Sequence, residues 1–387
     1  MKTINPNDLL THKRFDVVVK YMYASNLTSE FYKNAYKEHL RIWNGFYEGS
    51  PRKRGFEDFD NAFKSIIKNA VDEPVPVNNE GHIVNGAHRL AAALYHQRPI
   101  HIRYTNPDEN NYVESDCEYF ATRGLAQSIV QRTALEYAKL KSNTHVMCLF
   151  PIAHTRMAEV MNIIETHSNI FYKSSEAFNS TGQLGLIKEI YLSDGWGTEK
   201  AIRKKCKQCF RGMSQVTFVL LDAKNLETVK EMKNKIRALF KVGNHSVHIN
   251  DTHEDTIRIA KTVFNTNSIH FLNHRRSVSF PNYKKLMADM KPDDNEIITG
   301  STVLSLYGLR DCKDIDKIYY NNPPADSHNQ YLKNLYKLSL DDIINNPIYH
   351  LYYNGFKYVS LDVIKNMKKT RNEPKDVIDV KLAEEIK

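Results

Sequence analysis

The turn Asn85-Gly86-Ala87-His88-Arg89 stands between a β-branched stretch and a helix of small residues, Leu90-Ala91-Ala92-Ala93-Leu94. A glycine at a strand-to-helix junction lets the backbone come close to a ligand. The amides that open the helix, with its dipole, favour an anion, and Arg89 adds a planar fork that matches phosphate oxygens. Upstream, Glu48 lies beside the basic stretch Arg52-Lys53-Arg54. A carboxylate there has the chemistry to accept a hydroxyl proton in phosphoryl transfer, with Glu57 and Asp58 as competitors. The bland alternatives are a solvated carboxylate for Glu48 and a hydrated helix start for His88 and Arg89.

A second constellation occupies IITGSTVLSLYGLRDCKDIDKIYY, residues 297–320. It reads as an apolar strand, then Gly300-Ser301 at a helix start, then a helix ending near Gly308. A second strand carries Asp314 and Asp316. Residues two apart on a strand share a face, so both carboxylates are expected to point at one divalent cation, Mg²⁺. An exposed strand end is the competing reading.

Two further groups are weaker. Cys206-Lys207-Gln208-Cys209 is half of a zinc site without a second pair at standard spacing, and reads as two ordinary thiols at a helix end. In NHSVHINDTHED, His245, His248 and Asp251 stand between a strand and a helix, where substrate contacts are common. Thr252 and Asp255 suit helix capping there and Asp251 a turn. The segment Asn265 to Asn273 is expected to be the neighbouring strand.

Residues Pro74 to Val77, Gly81, Ile83, Asn85, Gly86, His88, Arg89 and Leu90 together resemble the ParB/sulfiredoxin superfamily, with its extended strand, turn, strand and G-x-H-R at a helix start. The resemblance implies a nucleoside triphosphate, ATP or CTP, with its phosphates on Gly86, His88 and Arg89. Sulfiredoxins carry a nucleophilic cysteine where this chain has Ala87, which argues against peroxiredoxin repair. ParB proteins follow the domain with a helix-turn-helix module that the sequence does not display, which argues against DNA. Free-serine-kinase-like members are nearer, and they imply phosphorylation of a small-molecule hydroxyl with Glu48 as base. Gly300-Ser301 and Asp314-x-Asp316 resemble nucleotidyltransferases of the polymerase-β type. GFKYVSLDVIKNMKKTRNEPKDVIDVKLAEEI is similar to the K…R…KD..D helix that closes minimal members. Active members hold a third carboxylate on a following strand, and YHLYYNGFKYVSL has none. The combination is also similar to proteins of bacterial surface-polysaccharide clusters, which implies a transfer step in polysaccharide biosynthesis. The rival implications are a nucleotide-gated DNA-binding protein and a regulator that senses nucleotide without turnover.

These motifs need elements to hold them. Apolar periodicity predicts helices between residues 7 and 46, another over Phe56 to Ala70, and a hairpin across VPVNNEGHIV. It predicts the helix Ala87 to His96, a strand at Pro99 to Arg103, and one or two helices over Tyr119 to Lys141. Strands at VMCLFPIA, VTFVLLD and Ser246 to Ile249 alternate with helices at Leu226 to Leu239 and Asp255 to Phe264. The expected class is α/β, of the α+β kind. The expected domains are a ParB/sulfiredoxin-like domain over 1–145, a middle α/β domain over 146–290 and a nucleotidyltransferase-like domain over 291–387. A chain of 387 residues suits two or three domains. The net charge of +9 is spread among 45 acidic residues, which favours anionic ligands over a nucleic-acid tail. Five cysteines form no secreted disulfide framework, so a reducing cytoplasm is expected. No apolar run approaches the roughly 18 residues of a membrane span.

Overall fold

Phe15, Val18, Val19, Met22 and Tyr23 recur at helical spacing and are all buried, which makes Phe15–Ser25 a core helix. The computed structural model describes residues 2–44, 55–69, 73–106, 115–195 and 198–386. The chain divides into two units: Met1–Ser142 with Asn169–Tyr172, and Asn143–Ser168 with Lys173–Lys387. The architecture is mixed α and β. Among the described residues no helix is long and apolar enough to cross a membrane.

The first unit runs β1 (Lys2–Ile4), α1 (Pro6–Leu9), α2 (Phe15–Ser25), α3 (Glu30–Asn44), α4 (Phe56–Asn69), β2 (Val75–Val77), α5 (Ala87–His96), β3 (Ile100–Tyr104), α6 (Cys117–Ala121) and α7 (Gln127–Leu140). β3 is the middle strand of its sheet, antiparallel to β1 and parallel to β2. The expected hairpin exists in reduced form. Asn78 Oδ1 accepts from the Glu80 and His82 amides, Gly81 takes φ +83°, and the returning limb makes one bridge, Ile83 to Val77.

Inside this unit Asp16 is buried among cations. It accepts from Arg14 Nε and Nη2 and from Lys20 Nζ, each at 2.8 Å, and from the Ser115 hydroxyl at 3.0 Å. Burial pushes the carboxyl up, but Arg14 and Lys20 outweigh it and hold it well below the usual range. Arg14 Nη1 also donates to the Ile83 carbonyl at 2.9 Å, which anchors the chain just ahead of the Asn85-Gly86 turn. Removing one partner of such a group strands the others. Asp16→Ala is therefore expected to destabilise the first unit by about 3–5 kcal/mol, read as a lower urea midpoint.

The second unit runs β4 (Thr144–Leu149), α8 (Met157–His167), β5 (Ser168–Ala177, apart from Asn169–Tyr172, which group with the first unit), α9 (Ser180–Ile190), α10 (Glu199–Phe210), β6 (Gln215–Ala223), α11 (Leu226–Phe240), β7 (Val247–Ile249), α12 (His253–Val263), α13 (Thr266–His274) and α14 (Pro281–Ala288). It continues with β8 (Glu296–Thr299), α15 (Ser301–Leu306), β9 (Asp316–Tyr319), α16 (Leu340–Asn345), β10 (His350–Tyr353), β11 (Phe356–Val359), α17 (Leu361–Arg371) and α18 (Pro374–Glu384). Its two sheets have the orders β5-β6-β4-β7 and β10-β11-β8-β9.

Two expectations are corrected. Asn265 to Asn273 is helix, not strand: Asn265 Oδ1 caps α13 by accepting from the Ser268 amide at 2.8 Å, and Ile269 and Leu272 turn inward at helical spacing. A short apolar run such as Ile269 to Leu272 suits either element by pattern alone. Asp314 lies before β9, not on it. The ladder ends with Asp316 opposite Thr299, because Gly300 then carries the chain off the sheet with φ +63° and leaves residue 314 nothing to pair with.

Candidate functional site

The C-terminal sheet is built so that β8 and β9 deliver their ends to one place. β8 stops at Thr299, the next residue opens α15, and antiparallel pairing sets Asp316 opposite Thr299. A Cβ on Gly300 would stand 2.0 Å from Asp316 Oδ2, so only glycine admits this carboxylate over the turn. The result is a cavity of about 270 Å³ lined by Gly300, Ser301, Asp314 and Asp316 together with Arg310, Lys313, His328, Lys368, Arg371 and Lys375. All four candidates of this segment meet there, Asp314 exposed and Asp316 half-buried.

A relay that the motif did not announce holds Asp316. Its Oδ1 is 3.2 Å from His328 Nε2, His328 Nδ1 is 2.8 Å from the Tyr336 hydroxyl, and that hydroxyl is 2.7 Å from Thr299 Oγ1. Burial pushes the Asp316 carboxyl up, but His328, with Arg371 and Lys368 farther off, outweighs burial and keeps it below the usual carboxylate range. His328 and Tyr336 lie well past the Gly-Ser and Asp-x-Asp signature. No spacing rule links them to it, so the sequence offers no signal for them.

The wall opposite comes from α17 and α18. Lys368 Nζ sits between Asp376 (3.1 Å) and Asp379 (2.6 Å), all three nearly fully buried. Arg371 binds Asp376 through Nε and Nη2 at 2.8 Å, and Arg310 reaches Asp379. All of these but Arg310 belong to the K…R…KD..D stretch. Lys375 pairs with Glu373 at 3.0 Å, whereas Lys313 has no side-chain partner among the described residues. Counted with Asp376, Asp379 and Glu373, the five cations around the cavity are matched by five carboxylates.

A divalent cation fits the donor set only in part. No group of three His, Cys, Asp or Glu side chains is poised to hold one among the described residues. Two carboxylates in a half-open cavity suit Mg²⁺ that arrives on a polyphosphate, since this ion keeps waters and phosphate oxygens as its remaining ligands.

At the other turn, Gly86 caps α5 in the left-handed region, φ +95°, and its amide donates to the neighbouring Asn85 Oδ1 at 2.6 Å. The next amides, of Ala87, His88 and Arg89, have no acceptor among the described residues. Arg89 is partly engaged, its Nη1 donating to the Glu73 and Pro74 carbonyls and to Glu73 Oε2 at 3.0–3.1 Å. Its Nε and Nη2 edge lies against Gly86, 3.3 and 3.2 Å from where a Cβ would be. His88 points inward, Nε2 2.8 Å from the Tyr36 hydroxyl, among the rings of Tyr36, Phe59 and Phe63. Burial holds its imidazole well below the usual range and therefore neutral. Glu48 and Arg52-Lys53-Arg54 lie outside the described residues. Glu57 and Asp58 are exposed in the first turn of α4.

The central polar group has separate partners. Asp251 is exposed and pairs with Lys233 at 3.0 Å. His245 Nδ1 lies 3.9 Å from Cys209 Sγ, and His248 packs against Tyr191, its imidazole pushed down to about 3 by burial with Lys233 and Lys205 assisting. Thr252 caps α12, its hydroxyl accepting from the Asp255 amide at 3.2 Å.

No family model, curated protein or solved structure matches this chain.

His88 sets a pH response. Its folded pKa lies below the ordinary 6.5, so between that value and the folded pKa the unfolded chain binds more protons and stability falls as pH falls. His39, which is buried and likewise held below the usual range, adds in the same direction. His88→Gln is expected to flatten the acid slope of first-unit stability by up to about 1.4 kcal/mol per pH unit below 6.5. Urea titrations at stepped pH measure this, and an unchanged slope refutes the neutral assignment of His88.

Proposed function

We propose that this chain is a nucleoside-triphosphate-dependent transferase that moves a phosphoryl or nucleotidyl group onto a hydroxyl of a small metabolite, with the polyphosphate held in the Gly300/Asp316 cavity. The observation that carries the reading is the convergence of Gly300, Ser301, Asp314 and Asp316 on one cavity walled by Arg310, Lys313, Lys368, Arg371 and Lys375. Phosphoryl and nucleotidyl transfer need positioning and charge neutralisation more than covalent help from the protein.

Because fixed charges around the cavity balance, a bare polyphosphate gains little there. Magnesium on the nucleotide supplies the excess positive charge, and Asp314 and Asp316 are the side chains that would hold it. Lys313 then offers its free ammonium to a phosphate oxygen. His328 keeps the Asp316 carboxylate ionised and aimed, while Arg371 and Lys368, fixed by Asp376 and Asp379, keep a constant field with little reorganisation.

A second reading places a kinase-type nucleotide site at the α5 turn, with Glu48 as base. It is favoured by the unpaired amides of Ala87, His88 and Arg89 and by the free edge of Arg89 beside Gly86. Either site takes ATP or CTP by the same phosphate contacts.

Calorimetric titration of the full chain with ATP and CTP, with and without Mg²⁺, separates these readings. Asp316→Asn and Lys313→Gln are expected to weaken Mg-nucleotide binding at least about tenfold, with Arg89→Ala near wild type. Loss in Arg89→Ala with normal binding in Asp316→Asn moves the site to α5. Magnesium-independent binding overturns the charge argument.

Gly300→Ala is expected to abolish binding and transfer at this cavity and to cost about 1–3 kcal/mol of stability from the positive-φ backbone alone. A variant that binds Mg-nucleotide as wild type shows that Asp316 need not sit over the turn.

A further inference from the structure

A larger cavity, about 480 Å³, opens elsewhere in the second unit among α9, α10, the segment 275–288 and the β10–β11 hairpin. Lys188, Arg203, Arg275, Arg276 and Lys284 line it against one carboxylate, Glu199. Glu199 is taken up by Lys188 and Arg203 at 2.9 Å each, and Arg276 reaches Glu385. Arg275 and Lys284 have no carboxylate in ion-pair contact among the described residues. Unlike the Asp316 cavity, this one carries uncompensated positive charge.

Arg275 is fixed in place. Its guanidinium lies 5.5 and 5.0 Å from the ring centres of Phe271 and Tyr353, and Nη1 donates to the Tyr353 hydroxyl at 2.7 Å. Gly185 on α9 makes the room: a Cβ there would stand 3.1 Å from Arg275 Nη2. Arg275 feels Glu189 through the interior, but that carboxylate already accepts from the Asn354 amide (3.0 Å) and the Thr262 hydroxyl (3.1 Å), and burial raises its pKa. The guanidinium therefore retains donors and charge for a ligand.

Ser277 and Ser279 add two hydroxyls with no partner among the described residues, and Tyr353 and Phe356 add ring surface. Two unmatched cations with two hydroxyls call for a group of about two negative charges and several acceptor oxygens, which a phosphate monoester supplies and a carboxylate does not. A cavity of this size suits a small metabolite. We propose that this cavity binds a small organic phosphate monoester, its phosphate on Arg275 and Lys284 and its carbon body against Tyr353 and Phe356.

The inference stands apart from the polyphosphate reading, and its test uses a different probe. Phenyl phosphate is titrated calorimetrically into the full chain at low salt, with phenol and inorganic phosphate as controls. Phenyl phosphate is expected to bind with Kd of about 1 mM or tighter, phenol not measurably and inorganic phosphate more weakly. Arg275→Gln and Lys284→Gln are each expected to weaken it about tenfold, while Lys313→Gln leaves it unchanged. Lys284 is exposed, so its variant tests the charge even where Arg275→Gln disturbs packing. No binding by wild type, wild-type affinity in Lys284→Gln, phenol binding as well as its phosphate, or a loss in Lys313→Gln each overturns the proposal; the last moves the ligand to the Asp316 cavity.

Discussion

One ammonium, Lys368 Nζ, buried between the carboxylates of Asp376 and Asp379, ties the end of the second unit together. Arg371 and Arg310 close the same network from either side. It thereby joins α17, α18 and the chain after α15 around the place where β8 and β9 end. Taking these charges out of water costs several kcal/mol per ion, and their attraction returns that only when every hydrogen bond is made. Such a network is a poor source of stability and a good source of geometry: Lys368, Asp376 and Asp379 are each held by two opposite charges, so the wall facing Asp316 cannot shift by one of these side chains at a time.

The same logic explains Asp316. A carboxylate over a glycine turn would be neutralised by burial unless something nearby favoured its charge. His328 does so directly, and Tyr336 and Thr299 fix which way the imidazole faces. The Gly300 backbone and the Asp316 carboxylate are thus one structural decision: the positive φ ends the strand, and the missing side chain makes room for the oxygen that the next strand brings back.

Much of this was legible in the residues because it is local. The helix over Ala87 to His96, the strand VTFVLLD and the Gly300-Ser301 turn follow from periodicity and from glycine at a junction. What pattern alone misassigned was also local but ambiguous: Ile269 to Leu272 is apolar enough for a strand, and the Asn265 cap decided for helix. Asp314 fell off β9 because a ladder needs a partner strand, and β8 had already turned away. The tertiary contributions were invisible. Nothing in the spacing of His328, Tyr336 and Thr299 says they meet, nor that β1 at the start of the first unit pairs with the distant β3. Arg89 shows the limit from the other side, since its type promised a phosphate fork while Glu73 and the Glu73 and Pro74 carbonyls occupy one of its nitrogens.

Charge balance, more than residue type, separates the two cavities of the second unit. Both are rich in Lys and Arg, and a count of cations alone would assign them the same ligand. Around Asp316 each cation but Lys313 already has a carboxylate, so an anion is attracted only when it brings its own positive ion. Around Arg275 the cations outnumber the acids, and the rings of Phe271 and Tyr353 hold the guanidinium without neutralising it. An aromatic seat leaves a cation its full charge for a ligand, whereas a carboxylate seat spends it. On the readings proposed above, the metal-bearing polyphosphate goes to the cavity built from ion pairs, and the bare phosphate monoester to the cavity whose guanidinium sits on rings.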